Sequence, residues 1–558
     1  MTAFDETFDF VVVGSGGGSM SAALYLRSLG KRVLILEKLP IVGGTTGRSG
    51  GVMWIPNNRF MARDGVPDSP GQALAYLEAT TADQPDSPAA TPERRQMYVA
   101  EAPRMLEFLI SQGIRLDRAK YWPDYYDEAP GGSEQGRTVR AEVFDLRELG
   151  EWADKLFPGF TELPAYMDEM MLLGYYRTSW QARKIMLRVA LRTILARLTG
   201  KRLVTAGAAL QGRMLQASLR AGVEIRTETP VSELVFEDGA VKGVIVNREG
   251  QPWRIGATLG VLMNAGGFSH NATMREHYIP NTEVAWSNAS VGNTGEMIET
   301  MARHGAATAN MGEMVGFQST FQPGWENDEV KSPAQRLTAA PHAILVDQGG
   351  QRYMNEGGSY MAYCKGMLER HKDVPAVPSW AVFDSRVLQN YMIAGTMPGS
   401  KKPQSWYDED FLKQADSIEA LAERLGIAPE ALAATVQRFN GFVDAGRDED
   451  FGRGARAYDR WLGDPAHQPN GTLGRIEEGP FYAVPVNPGD VGTYGGVVTD
   501  EYARVLKEDG SVIPGLYAVG ICAASMNGGV YPGAGCSIGP AFTFGYVAAR
   551  HATGEFGA

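Results

Sequence analysis

Phe10-Val11-Val12-Val13-Gly14-Ser15-Gly16-Gly17-Gly18-Ser19 is the stretch whose reading decides the fold. Four apolar residues in a row suit a strand buried on both faces of a parallel sheet. The glycine turn feeds an amphipathic segment, Met20 to Leu29, that stops at Gly30, and a second strand pattern, Arg32 to Leu36, closes on Glu37. This order predicts a βαβ unit. Gly14 permits the tight turn, and Gly16 lets backbone approach a pyrophosphate at the positive end of the helix, with Ser15, Gly17 and Gly18 completing the turn. Ser19 replaces the third glycine, is small enough for close helix–strand packing, and counts with Gly14 to Gly18 as cofactor-binding. Glu37 lies 21 residues after Gly16, where an acid bonds both ribose hydroxyls and disfavours a 2′-phosphate. The unit predicts an ADP-containing dinucleotide without separating NAD from FAD.

Working outward, Lys38 and the cluster Val42-Gly43-Gly44-Thr45-Thr46-Gly47-Arg48-Ser49-Gly50-Gly51 follow the ribose acid directly. Small residues so soon after the first unit suit a long ligand whose second half is covered by backbone, here Gly44, Thr45, Thr46, Ser49, Gly50 and Gly51, with Lys38 also expected to bind the cofactor. A second dinucleotide unit is missing, which disfavours a separate NAD(P)H domain. Here the chain resembles the FAD-containing flavoproteins of the fumarate reductase and succinate dehydrogenase superfamily. Further stretches carry the same likeness: Gly222-Val223-Glu224-Ile225, Val231-Ser232-Glu233-Leu234, Gly243-Val244-Ile245, Met263-Asn264-Ala265-Gly266-Gly267-Phe268 and Gly515-Leu516-Tyr517-Ala518-Val519-Gly520. The resemblance implies FAD contacts at Val231, Ala265, Gly266, Gly520, Ser537 and Ile538. It implies non-covalent FAD, because the usual histidine-containing attachment segment is absent near residues 42–51.

The same likeness implies an α/β fold in which a Rossmann-type FAD-binding domain is discontinuous (1–317 and 491–558). An α+β substrate-covering domain is then inserted at 318–490. Ser417 to Leu425 and Pro429 to Phe442 read as helices, and Asp448 to Gly474, rich in Gly, Asp, Arg and Pro, as an exposed loop region.

Composition removes several classes of function. The 558 residues are 44% hydrophobic and 21% charged, as in a soluble chain with a large core. A formal charge of −12 argues against a nucleic-acid partner. The three cysteines, Cys364, Cys522 and Cys536, make no disulfide framework or zinc spacing, and the seven histidines form no H-x-x-x-H pair, so no metal is expected. No run of about 18 apolar residues appears. The acidic start, Met-Thr-Ala-Phe-Asp-Glu, is unlike a signal peptide, and a reducing cytoplasmic setting is expected.

One stretch breaks the overall charge. Residues 177–202 hold eight cations, Arg177, Arg183, Lys184, Arg188, Arg192, Arg197, Lys201 and Arg202, and no acid. Ile185, Met186, Leu187, Val189, Leu191, Ile194 and Leu198 are interleaved with them, Trp180 stands near the start, and a methionine-rich patch from Tyr166 to Leu173 precedes them. Residues 160–205 are therefore a candidate membrane-surface insertion; an ordinary packed helix with a solvated basic face is the equal alternative.

Three tyrosine segments narrow the chemistry. Gly528-Gly529-Val530-Tyr531-Pro532-Gly533-Ala534-Gly535-Cys536-Ser537-Ile538-Gly539-Pro540-Ala541 precedes a final helical pattern, Phe542 to His551. It is similar to the 3-ketosteroid Δ1-dehydrogenase signature Y-P-G-P-G-x-x-I-G-P, departing from it at Ala534. Asn355-Glu356-Gly357-Gly358-Ser359-Tyr360 and Trp122-Pro123-Asp124-Tyr125 resemble two further segments of that family. The resemblance implies that Tyr531 and the Gly535 N–H bond the steroid C3 carbonyl, that Tyr360 removes the C2 proton with help from Tyr125, and that the C1 hydrogen passes to the flavin. A tyrosine with a pKa of ~10 is a poor base at neutral pH, so neighbours are expected to lower that of Tyr360. An apolar slot is expected, with Met53, Trp54, Phe317 and Phe321 as candidate linings. The expected partners are a 3-ketosteroid and a quinone or other electron carrier. The alternatives are a 3-ketosteroid Δ4-(5α)-dehydrogenase, an FAD-dependent reductase of an unsaturated carboxylate, and a flavin-binding membrane-surface protein with vestigial tyrosines.

Overall fold

The computed structural model describes residues 4–82, 87–325 and 330–556. Glu6–Val13 is the central strand of an eight-stranded sheet. It runs parallel to Val33–Leu36 on one side and to Gln251–Met263 on the other. Glu224–Arg226 and Val512–Ala518 extend the parallel part outward, and Arg504–Leu506 closes one edge antiparallel. The hairpin of Val231–Glu237 and Ala240–Arg248 pairs with the first half of Gln251–Met263. Phe10, Val11 and Val12 are fully buried, as their unbroken apolar run predicts. Val13, Leu36, Met263 and Ala518 end in register at one rim of the sheet. The loops leaving that rim begin at Gly14, Glu37, Asn264 and Val519, where an open α/β sheet presents its ligand crevice.

The helix after the glycine turn spans Gly17–Ser28, three residues earlier than its sequence pattern suggests. Its first turn packs on the last helix, Ile538–Ala552, which likewise starts before the expected Phe542. The contact is backbone on backbone at Gly18 and Gly545 and backbone on the Phe542 ring at Gly17. A Cβ on Gly17 would lie 1.8 Å from the Phe542 ring, one on Gly18 2.5 Å from Ala541 O, and one on Gly545 2.2 Å from Gly18 O. Gly18 and Ser19 thus serve packing and do not border the cavity beyond. The Ser19 hydroxyl is hydrogen-bonded to the Asn264 amide at 2.9 Å.

A second, six-stranded sheet has the order Ser332–Pro333, Met314–Thr320, Phe481–Thr493, Ser379–Asp384, Ala343–Val346, with Lys413–Ala415 also on Phe481–Thr493; all its pairings are antiparallel. Helix Tyr360–His371 lies on Met314–Thr320 so closely that a Cβ on Gly316 would come within 2.5 Å of the Cys364 Cβ. Phe317 pairs with Gly489, so the two sequence positions proposed as domain boundaries fall within one pair of strands. The buried Asp490 ties this sheet to the loop after Gln251–Met263. It accepts from Arg275 Nη1 at 2.6 Å, Ser287 Oγ at 2.8 Å and Ser269 Oγ at 2.9 Å.

Helices Ile418–Leu425 and Pro429–Ala445 form where their periodicity predicts. The reading of 448–474 as an exposed loop is wrong. Asp448, Arg453, Tyr458, Asp459, Leu462 and Asp464 are buried, and Ala457–Leu462 is a helix. The polar residues there are spent internally: Arg453 donates to Ala340 O and Ala343 O, and Asp448 pairs with Arg352 at 2.8 Å. If the glycine contact fixes the two helices, Gly545→Ala costs about 1–3 kcal/mol through overpacking. A lowered thermal midpoint and weaker FAD retention are expected; an unchanged midpoint contradicts this.

Candidate active site

A cavity of about 550 Å³ opens from the rim of the large sheet toward the second sheet. Its first half is bordered by Gly14, Ser15, Gly16, Gly17, Glu37, Lys38, Gly44, Thr45, Thr46, Ser49, Gly50, Gly51, Val231, Ala265, Gly266 and Gly520. Gly14 has φ +93°, and a Cβ there would lie 2.3 Å from Asn264 O, so the turn requires glycine. Ser15 Oγ donates to Glu37 Oε2 at 2.5 Å and accepts from Gly43 N at 2.9 Å, joining the phosphate turn to the ribose acid and the following glycine cluster. Burial raises the Glu37 pKa, and donors from Ser15 and Leu39 oppose that rise. A carboxylate so placed gains from further hydroxyl donors. Lys38 pairs with Glu296 and also donates to Thr294 Oγ1 at 2.7 Å. A helix N-terminus, a glycine turn without room for side chains and a buried acid on one wall fit an adenine dinucleotide. The cavity's continuation past Gly51 and Gly520 fits the longer FAD.

The far half holds the tyrosines. Tyr125, Tyr360 and Tyr531, from three distant segments, border the cavity together with Gly535, Ser537 and Ile538. Ring centroids are 5.4 Å apart for Tyr125–Tyr360, 5.2 Å for Tyr360–Tyr531 and 6.0 Å for Tyr125–Tyr531. Tyr531 OH is set by Ser537, whose Oγ lies at 2.9 Å and whose N–H donates at 3.3 Å at the start of the last helix. Gly535 has φ +95°, and a Cβ would meet Val52 O at 2.5 Å. Its N–H has no acceptor among the described residues, and Gly535 borders the cavity. Ala534, where the family signature has proline, is held instead by Thr138 Oγ1, which donates to its carbonyl at 3.1 Å.

Sequence reasoning missed a fourth tyrosine. Tyr458 borders the same cavity, with its ring 4.2 Å from that of Tyr125. Asp127 holds it there by accepting from Ala457 N and Tyr458 N at 2.9 Å each. Gln335 Nε2 donates to the Tyr458 hydroxyl at 3.1 Å. The apolar spacing of Ala457, Tyr458, Trp461 and Leu462 was the available signal, hidden inside a polar stretch. Of the expected slot residues, Phe317 borders the cavity, 6.1 Å from the Tyr360 ring. Met53 and Trp54 do not; they are buried behind Gly535, and Phe321 also lies off the cavity wall.

The electrostatics also differ from expectation. Burial pushes Tyr360 well above the usual phenol range, and Tyr531 adds to the rise; a hydrogen bond with Tyr125 is the opposing influence. Burial likewise raises Tyr125 and Tyr458, and takes Tyr531 to about 12. The groups acting most strongly on Tyr360 after burial are other phenols, so no standing tyrosinate is prepared. All four rest as neutral phenols.

The comparisons with known proteins meet this geometry. The FAD binding domain family matches residues 9–538. The 3-oxosteroid 1-dehydrogenase of Mycobacterium tuberculosis is 38% identical over 99% of both chains, and that of Mycolicibacterium smegmatis 37% identical over 98% of this chain and 97% of the other. This chain belongs to the 3-oxosteroid 1-dehydrogenase family of FAD-binding proteins. Among solved structures, the family's 3-ketosteroid Δ1-dehydrogenase from Sterolibacterium denitrificans, in complex with 1,4-androstadiene-3,17-dione, superposes with a TM-score of 0.90. It is 34% identical and covers 99% of this chain and 100% of that one. FAD is therefore the cofactor of this family member, and its enzyme class is oxidoreductase.

Proposed function

We propose that the protein carries out FAD-dependent 1,2-dehydrogenation of 3-ketosteroids, converting a 4-ene-3-ketosteroid to the 1,4-diene. The observation that carries the proposal is the meeting of Tyr531, the unpaired Gly535 N–H and the Tyr360–Tyr125 pair on the cavity wall that continues from the dinucleotide cradle. Tyr531 OH and Gly535 N–H donate to the C3 carbonyl oxygen, which acidifies the C2 hydrogen by stabilising enolate character. Tyr360 takes the C2 proton. Because its pKa is high at rest, it does so while giving up its own proton, which passes through the Tyr125 and Tyr458 hydroxyls and leaves to solvent water, so that one proton departs as one enters and no tyrosinate forms. FAD, when bound, supplies the two-electron acceptor for the hydrogen that leaves C1. The donor-rich carbonyl site favours this over reduction of an unsaturated dicarboxylate, which needs paired cations. Arg336, a cation on the far half of the wall, is instead stacked over Tyr175 and Trp461, 5.1 Å from each. A quinone or similar carrier would reoxidise the flavin.

We also propose that the helix Trp180–Leu198 rests on a lipid surface. No described helix is long and apolar enough to cross a membrane. Trp180 (66% exposed), Leu187 (63%) and Leu198 (78%) lie open together with Leu191, Ile194 and Leu195, while Ala182, Ile185 and Val189 face inward. Arg188 and Arg192 are drawn back to Glu169, so the outer face is more apolar than its charge count suggests. Met167, Met170 and Met171, on the helix packed against it, border the cavity, giving a steroid an apolar way in from lipid.

Two measurements test these readings. Under anaerobic conditions a 4-ene-3-ketosteroid bleaches the flavin and yields the C1=C2 product, whereas succinate leaves it oxidised; bleaching by succinate, or a double bond elsewhere in the product, contradicts the first. In vesicle pelleting, combined Leu187→Glu, Leu191→Glu and Leu195→Glu releases the protein from lipid while turnover of a short soluble steroid stays unchanged; undiminished pelleting contradicts the second.

A further inference from the structure

Asp124 directly precedes Tyr125, and its side chain is buried at 1% exposure. Oδ2 pairs with Arg137 Nη1 at 2.5 Å and accepts from Ser133 N at 3.1 Å; Oδ1 accepts from Trp54 Nε1 at 2.8 Å. Arg137 is shared with Asp68 at 2.8 Å, and its guanidinium lies over the rings of Trp54 and Tyr76, 5.4 and 5.5 Å from their centroids.

These partners grip the glycine loop as well. Trp54 N donates to Gly535 O at 3.3 Å. Tyr76 OH donates to Pro532 O at 2.5 Å and accepts from Tyr126 N at 3.2 Å, while Tyr125 N donates to the same Pro532 O at 2.9 Å. Gly533 has no room for a side chain: a Cβ would lie 2.6 Å from Trp54 and 3.5 Å from Asp124 Oδ1. One carboxylate therefore stands between the segment that carries Tyr125 and the segment that carries Gly535. A packed apolar residue could fill that space without the cost of a buried charge, so the charge must be held by a full set of donors, and it is.

We propose that Asp124 is a positioning residue for the dehydrogenation: its ionised carboxylate, clamped by Arg137 and Trp54, fixes the Tyr125 hydroxyl and the Gly535 N–H relative to one another. For its activity readout this inference rests on the reaction proposed above. It also has a pH signature. Burial lifts the Asp124 carboxyl to about 6. Arg137, the Trp54 N–H and Ser133 N pull it down and Asp68 pushes it up, while Tyr76 and Cys536, which also face it, remain protonated. The clamp is present above about pH 6 and is lost as pH falls through that value.

The test is the rate of anaerobic flavin reduction at saturating steroid, followed from acid to neutral pH in FAD-loaded native enzyme, Asp124→Asn and Trp54→Phe. Asp124→Asn keeps FAD and steroid affinity but reduces flavin on the order of 10²-fold more slowly, the effect of a misplacement near 1 Å, and it lacks the acid limb. Trp54→Phe keeps the charge but loses a donor that holds the pKa down, so its limb moves to higher pH. A native rate and native limb in Asp124→Asn, or an unmoved limb in Trp54→Phe, overturns the proposal. Should Asp124→Asn fail to load FAD, the Trp54→Phe profile decides. If native flavin is not reduced by steroid at all, the reaction is wrong. The positioning claim is then judged on the crystal structure of FAD-loaded Asp124→Asn, where an unchanged Tyr125–Gly535 separation overturns it.

Discussion

Two helices begin at the cofactor end of the large sheet and meet through glycine, and the arrangement of the site follows from that contact. Gly17 and Gly18 at the start of the first helix press on Ala541, Phe542 and Gly545 of the last, with no space for a methyl group on Gly17, Gly18 or Gly545. Interiors at crystal-like density do not absorb such a group without shifting backbone. The first helix is reached through the phosphate turn and the last through the Tyr531–Ser537 loop. Holding the helices together therefore holds the dinucleotide cradle and the carbonyl-binding loop at one separation, although more than 500 residues lie between them in sequence.

Burial then sets the chemistry. Four phenols that meet on one wall are each costly to ionise, first because burial disfavours the phenolate and, for Tyr360 and Tyr125, because neighbouring phenols add to the rise. Such a set is a poor reservoir of standing base. It is well suited to moving a proton along hydroxyls of similar affinity while the substrate oxygen is stabilised from the other side. The last helix contributes there too, since its N-terminal Ser537 N–H orients Tyr531.

Much of this was legible in the chain. The apolar run at Phe10–Val13, the glycines after it and Glu37 specify the βαβ unit because strand burial and turn geometry are local properties. The tyrosines Tyr125, Tyr360 and Tyr531 were found through motif resemblance; their meeting on one wall is a tertiary fact. Two kinds of information were out of reach. Gly18 and Ser19 read as part of the cofactor turn because a small residue required by a neighbouring helix looks the same as one required by a phosphate. Tyr458 was hidden because Asp448, Arg453 and Asp459, which bond inward, have the composition of a solvated loop. The lowered pKa expected of Tyr360 failed for a related reason: the sequence names a base but not what surrounds it. The basic run at 177–202 was also only half readable, since Glu169, which draws Arg188 and Arg192 back and leaves the leucines outermost, lies in a different helix.

The central claim is that Tyr360 moves the C2 proton while Tyr531 and Gly535 hold the carbonyl. It is tested most directly with a 4-ene-3-ketosteroid deuterated at C2, incubated anaerobically with enzyme whose FAD is already reduced, so that no net oxidation intervenes. Native enzyme is predicted to release the C2 deuterium into water, and Tyr360→Phe, with FAD still bound, to retain it in the steroid. Equal release by the two enzymes would contradict the account.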